Sequence, residues 1–283
     1  DRSIFNIKEK YDSKITNYTH FAGKEVVSAY WFDGFKSTLI YRFSPSISPA
    51  EDYNKDANRL NQSIGHYWRW GSSYCYGSPN EAGKVMGLAA FGKKDEIIKE
   101  KILSISDKGW IKVDYQKIRE KFDKPNIFNL DLSKSKHHQN IALKIQSETE
   151  EVILKLLLML KEKYPTDTLY FSGGVALNVV ANERIKNSNL FKNVILNGSV
   201  EDNGTAIGAA LAASVEQGFE RKSSVIKDYY GRKYSNKEIL KAVSEYSFSY
   251  KILDSKEINK IAAELIGKEK VLGWFQDGSE FGP

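Results

Sequence analysis

Two glycine-containing junctions and one lysine are the places where this chain could do chemistry. The first junction is Ser172-Gly173-Gly174, which follows the apolar run Leu169-Tyr170-Phe171 and opens into a helix-compatible stretch reaching Ile185. The second is Glu201-Asp202-Asn203-Gly204, which follows Val194-Ile195-Leu196 and opens into a small-residue helix from Thr205 to Gln217. Glycine where a strand turns into a helix lets the backbone approach a ligand closely, and the free N–H groups of the helix start suit a phosphate. Asp202, just before the second helix, either holds a metal ion or caps the helix. Lys84 stands between Gly83 and Gly87. The spacing is not that of a P-loop, yet a lysine among glycines can reach a phosphate as a point charge; otherwise it is an exposed surface lysine.

Other reactive side chains read as structural. Cys75 stands alone between Tyr74 and Tyr76, a setting for a packed thiol rather than a nucleophile. With one cysteine no internal disulfide forms, and a reducing, cytoplasmic compartment is the simplest expectation. His66 lies among Tyr67, Trp68 and Trp70 with no second histidine at metal-ligand spacing. His137 and His138 are adjacent, which points them in different directions on a helix and speaks against chelation.

The elements that must position the junctions follow from pattern. Residues 25–43 read as a β-hairpin turning at Asp33-Gly34. A proline-spaced connector follows from Ser44 to Asp56, and residues 94–136 are charged and irregular, with a strand near Trp110 to Val113. From Gln139 to about Lys163 a long helix carries Ile141, Ile145, Val152, Ile153, Leu156, Leu157 and Leu160 at near-helical spacing, and Pro165 ends it. The helix from Gly204 is rich in alanine and glycine, which permits close packing on a sheet, and Gly218 is its stop. Ser235-Asn-Lys-Glu238 is a capping box opening a helix of Ile239 to Tyr246. A further helix, about Glu257 to Ile266, leads to a strand at Val271–Phe275.

Composition sets limits. The chain has 283 residues, 41% hydrophobic and 28% charged, as expected for a folded globular protein of one large or two smaller domains. No apolar run approaches the roughly 18 residues of a membrane span. The net charge of +6 comes from lysines scattered among acids, which disfavours nucleic acid as a partner and suits an anionic nucleotide. The sequence opens with Asp1-Arg-Ser, without Met or a signal-peptide pattern, and stops within Glu280-Phe-Gly-Pro283. An interior piece of a longer protein is the expectation.

Ser172-Gly-Gly-Val-Ala-Leu-Asn178-Val-Val-Ala-Asn182 and Asp202-Asn-Gly-Thr-Ala-Ile-Gly-Ala-Ala210 closely resemble the O-carbamoyltransferases of the NodU/CmcH type. Ser63-Ile-Gly65, Gly83-Lys-Val-Met-Gly-Leu-Ala89 and the terminal Gly273-Trp-Phe-Gln-Asp-Gly-Ser-Glu-Phe-Gly-Pro283 match in the same order. The resemblance implies an α/β chain with an incomplete actin-like, ribonuclease H-like ATPase fold. It implies that ATP and carbamoyl phosphate form carbamoyl-adenylate, and that the carbamoyl group passes to a small-molecule hydroxyl acceptor of sugar, antibiotic or secondary-metabolite type. Asp202 would ligate Fe2+ at the catalytic centre, while Lys84, Gly173, Gly174, Asn178 and Gly204 would bind the nucleotide. The family's paired histidines, spaced His-x-x-x-His, have no counterpart here, and its YrdC-like domain follows a Phe-Gly-Pro-Arg-Ala-Leu-Gly sequence whose Arg lies beyond Pro283. Residues 1–219 are expected as the nucleotide-binding domain and 220–283 as linker helices and the start of the next; a homodimer is compatible. The family also has an Asp-Gly pair whose Asp is a metal ligand, but Asp33 reads better as a hairpin residue. Two rivals share the strand–Gly–helix logic: another actin-like enzyme, such as a sugar kinase or a threonylcarbamoyl transferase acting on tRNA, and a non-catalytic, nucleotide-gated binding protein.

Overall fold

Seven apolar residues spaced along one helix organise the N-terminal part of the chain. The computed structural model describes residues 26–33, 36–44, 62–94, 99–122, 135–196, 198–219 and 229–280. The described elements begin with the strands β1 (Val27–Asp33) and β2 (Lys36–Phe43), then the helices α1 (Ile64–Tyr76) and α2 (Ala82–Ala89). The short strands β3 (Leu103–Ile105) and β4 (Ile111–Val113) follow, then α3 (Tyr115–Lys121), the long helix α4 (Lys136–Lys163) and β5 (Thr168–Phe171). A 3-10 turn (Gly174–Leu177), α5 (Val179–Asn187) and β6 (Asn193–Leu196) come next, and α6 (Asp202–Glu216), α7 (Asn236–Glu245) and α8 (Ser255–Gly267) close the order. The chain divides into two compact units, Asp1–Leu196 and Asn197–Pro283. The mixed α/β class is as expected. Among the described residues no helix is long and apolar enough to cross a membrane.

In the first unit, α4 buries all seven of its periodic apolar residues. Against them pack Ile64, Tyr67 and Trp68 of α1, Val85 and Leu88 of α2, and the inward residues of β3 and β4. The fit is close at Gly71, where an added Cβ would overlap the Ile145 side chain. The hairpin pairs antiparallel from Val27↔Phe43 to Asp33↔Lys36 with a bulge at Ala29/Tyr30. It contributes Tyr41 and Phe43 to the core. Gly34 and the Ser44–Asp56 connector, apart from Ser44, lie outside the described residues.

One side of α4 is polar and nevertheless buried. The Glu148 carboxylate accepts from Lys144 Nζ at 2.7 Å and Ile102 N–H at 3.0 Å on one oxygen. Its other oxygen accepts from the Tyr67 hydroxyl at 2.8 Å and Leu103 N–H at 3.0 Å. Lys144 also donates to the Glu100 carbonyl, and Trp68 Nε1 donates to Thr149 Oγ1 at 2.9 Å. A buried charge is tolerable when it is paired and every lone pair is used, as here. Burial and the neighbouring Glu148 carboxylate push the Tyr67 phenol well above its usual range.

The second unit is held by local devices. Ser235 and Glu238 form the expected capping box on α7, and Asp254 and Glu257 form another on α8. α6 ends in a Schellman turn, with Gly218 at φ 80° and the Phe219 N–H reaching the Ser214 carbonyl at 3.1 Å. Two expectations are corrected. Residues 271–275 are not a strand: no neighbouring strand pairs their backbone among the described residues, and Val271 is 98% exposed. α6 buries none of its residues despite its small side chains.

Candidate functional site

The first junction is built on a parallel strand pair. β5 and β6 run parallel in the register Thr168↔Asn193 to Phe171↔Leu196. Beyond β5 the chain turns at Gly173, with φ 100° and ψ 164°, before the 3-10 turn. That backbone region is open essentially to glycine alone. An added Cβ at Gly173 would meet nothing within 4 Å, so backbone conformation, not crowding, requires glycine there. The residue after it, Gly174, begins the 3-10 turn and is outside the positive-φ set.

Asn178 ends that turn and caps α5: its Oδ1 accepts from Ala181 N–H at 2.9 Å. The same amide pairs reciprocally with Gln146 of α4. Asn178 Nδ2 donates to Gln146 Oε1 at 2.9 Å, and Gln146 Nε2 donates to Asn178 Oδ1 at 3.2 Å. One turn along α5, Asn182 Nδ2 donates back to the Ala176 carbonyl at 2.7 Å. Gln146 is a site residue that pattern reading misses, because a glutamine between apolar helix positions carries no sign that it is buried. Asn178 is thus turned to the protein interior, with both amide atoms engaged.

The other expected residues belong to other elements, α2 and the start of α6. Gly83-Lys84 is not a loop: it lies in α2, and Lys84 stands on the exposed face. Its ammonium pairs with Glu81 at 2.8 Å and lies 5.9 Å from the Tyr76 ring centre. The Glu81 hydrogen bond raises the Lys84 pKa. Asp202 is exposed and is the first helical residue of α6; the cap position belongs to Glu201, which makes no side-chain cap bond. The capping alternative for Asp202 therefore fails by one residue. Gly204 lies in the first turn of α6, where a Cβ would collide with the Ser199 carbonyl oxygen. Its lack of a side chain is explained by its own loop, without a ligand. Asp202 and Gly204 belong to the second unit, and the other candidates to the first.

The remaining reactive groups behave as structure. Cys75 is fully buried, and burial pushes its thiol up to about 12. Ser63 of the Ser-x-Gly element caps α1, accepting from His66 N–H at 3.0 Å, with its hydroxyl also 2.8 Å from His66 Nδ1. His137 bonds the Tyr74 hydroxyl and His138 bonds Ser135. Contrary to expectation the two rings do not point apart but meet edge to face at 5.5 Å, both beside Tyr74.

The family model described as the carbamoyltransferase N-terminus matches residues 3–211, which include the glycine junction, Lys84, Asp202 and Gly204. The chain belongs to this family. An uncharacterized protein of Methanocaldococcus jannaschii is 30% identical over 236 residues, covering 78% of this chain and 38% of that protein. A second, from Synechocystis, is 30% identical over 223 residues, covering 71% and 36%. Nodulation protein NolO of Bradyrhizobium diazoefficiens is 27% identical over 209 residues, covering 71% and 37%. The chain thus spans less than two-fifths of each of these relatives. The resemblance to NodU/CmcH-type proteins, carried by the ordered motifs, is borne out at family level; the terminal motif from Gly273 lies outside the matched stretch.

The family resemblance implies iron, and the described residues assemble no site that fits it. Among the described residues no three His, Cys, Asp or Glu side chains converge to hold a metal ion. Asp202 offers a single, exposed carboxylate, and a metal centre needs several donors at once. What these residues do assemble is a rigid, glycine-opened turn anchored from behind by buried amides.

Proposed function

We propose that this chain is the nucleotide-handling part of an ATP-dependent O-carbamoyltransferase with an actin-like fold. In this reading carbamoyl phosphate and water give carbamate and phosphate, and a carbamate oxygen attacks the α-phosphorus of ATP to release pyrophosphate. An acceptor hydroxyl then attacks the carbamoyl carbon of carbamoyl-adenylate, losing its proton as AMP leaves. The acceptor is a small molecule. No step is routed through iron, because the donor set is not assembled here; Asp202 is proposed as one acidic residue of the transfer site.

The observation that carries the proposal is Gly173, which the family match encloses. It holds a conformation open essentially to glycine, at a strand-to-helix junction, with open space where a side chain would be. Such a turn lets phosphate oxygens approach the backbone and the start of α5. Gly173, Gly174 and the α5 N-terminus are the proposed nucleotide contacts. Asn178 shapes the turn from within, Lys84 is a candidate long-range charge, and Gly204 is retained for the shape of the second junction.

The test uses the intact polypeptide that carries this chain. With ATP, carbamoyl phosphate and iron supplied, phosphorus NMR should show pyrophosphate formed only when both substrates are present. Gly173→Ala should cost about 1–3 kcal/mol of local strain and weaken ATP binding measured by calorimetry. ADP as the product would replace this reading by a kinase, and unchanged ATP affinity in Gly173→Ala would remove the loop from the nucleotide site.

A further inference from the structure

Behind the glycine turn lies a set of buried amides for which the proposed chemistry has no direct use. Gln146, Asn178 and Asn182 are 3%, 8% and 7% exposed. Gln146 comes from the middle of α4, far along the chain from the turn it touches. Its Nε2 group uses both hydrogens, one on Asn178 Oδ1 at 3.2 Å and one on Glu150 Oε1 at 2.7 Å. Its Oε1 accepts from Asn178 Nδ2. Asn178 in turn closes the 3-10 turn and caps α5, while Asn182 holds the Ala176 carbonyl inside that turn. The turn is therefore gripped at its end and at its middle by side chains from two helices.

Gly173 itself has no side-chain hold; its carbonyl accepts from the Ala176 N–H at 2.8 Å inside the turn. A side chain there would meet nothing within 4 Å, so packing at that residue does not impose its unusual φ and ψ. A sparsely populated conformation persists only where the surroundings over-determine it. The amides are the part of the surroundings that can do so. α4 is a suitable anchor, because Glu148, two residues on, is tied to α1 and the start of β3 by three hydrogen bonds.

We infer that Gln146 is a positioning residue for the ligand-binding turn, acting through Asn178, with Asn182 as its second hold. This rests on the nucleotide reading of the turn given above, and it adds a residue of α4 to the apparatus that reads the ligand. Gln146 touches no ligand; it sets where the Gly173–Leu177 backbone stands when the nucleotide arrives. Preorganisation of this kind raises affinity by removing the cost of ordering the loop on binding.

The test compares Gln146→Met with Thr149→Val. Methionine keeps the length and helix propensity of glutamine but cannot bond Asn178. Thr149→Val, on the same helix as Gln146, removes the bond that Trp68 of α1 donates and leaves the turn untouched. Asn182→Ala is a second, independent way to loosen the turn should Gln146→Met fold poorly. Hydrogen exchange of the residue 173–178 amides should accelerate in Gln146→Met and Asn182→Ala but not in Thr149→Val. ATP affinity by calorimetry should fall roughly tenfold in the first two, the loss expected for one hydrogen-bonded hold, and stay at the parent value in Thr149→Val. Unchanged exchange in the turn overturns the inference, as does equal loss of ATP affinity in Thr149→Val, which would make Gln146 merely structural. If the parent binds no ATP, the nucleotide reading fails, and the exchange result still decides whether Gln146 holds the turn.

Discussion

Replacing Glu148 is the most demanding test of how α4 is held. Its carboxylate is shared by four donors, and its partner Lys144 has a side chain only 4% exposed. Glu148→Leu takes the paired carboxylate from the Lys144 ammonium, and it strips the Tyr67 hydroxyl and the Ile102 and Leu103 amides of their acceptor. Breaking a buried ion pair by removing one partner costs about 3–5 kcal/mol. The three neutral donors bring losses of about 1–3 kcal/mol each in isolation, but they share one acceptor, so the terms do not add. The expected loss is about 3–5 kcal/mol, a large part of the roughly 5–15 kcal/mol that a domain has. Lys144→Met should cost less, about 1–3 kcal/mol, because three donors still serve the carboxylate. The double variant should be more stable than Glu148→Leu alone, since the stranded charge is gone. Urea unfolding followed by tryptophan fluorescence, which reports on Trp68 and Trp70 of α1, gives all three numbers if the slope stays constant. A loss below about 1 kcal/mol for Glu148→Leu, or a double variant less stable than that single one, would refute the reasoning.

Two further outcomes are expected. Asp202→Ala should cost no more than the roughly 0.3–1 kcal/mol of an acid in a helix first turn, yet abolish carbamoyl transfer by the intact polypeptide; near-normal transfer would reduce Asp202 to a surface acid. Glu238 is held down to about 2, first by the Ser235 backbone N–H, then by the Ser235 hydroxyl and Arg232. Because the folded value is depressed, its contribution is complete above the ordinary carboxylate pKa and fades as pH falls from there toward 2. NMR of the α7 amides should show the first turn fraying across that window, and Glu238→Gln should remove the pH dependence.

What could be read from sequence was whatever follows from periodicity or local chain chemistry. The seven apolar residues of α4 all prove buried, the hairpin pairs through Asp33↔Lys36, and Ser235 with Glu238 makes its capping box. These need only neighbours within a few residues. The errors arise where tertiary partners decide. Val271–Phe275 has the composition of a strand, but composition does not supply a neighbour to pair with. Lys84 between glycines was read as a lysine that reaches a phosphate or else an exposed surface lysine; the segment is a helix, with Val85 and Leu88 inward and Lys84 outward. Asp202 was read as a possible cap, and the helix starts one residue too early for that. Lys144, Gln146, Glu148 and Thr149 gave no signal, because polar residues are assigned to the surface unless a partner is known, and their partners lie far off in sequence.

Those four residues show why stability and ligand recognition can be separated on one helix. Glu148 and Thr149 face α1 and β3, where their hydrogen bonds join elements of the core. Gln146 lies between them and Ile145, yet its amide points to the start of α5. Gln146 and Glu148 are two positions apart and so diverge by about 200° around the helix, which lets them serve different partners. Loss at Glu148 should therefore appear in unfolding free energy, and loss at Gln146 in the turn and its ligand. A rigid α4 is the condition for both, since an anchor that moved with its load could not fix Gly173 in a conformation that no side-chain packing at Gly173 imposes.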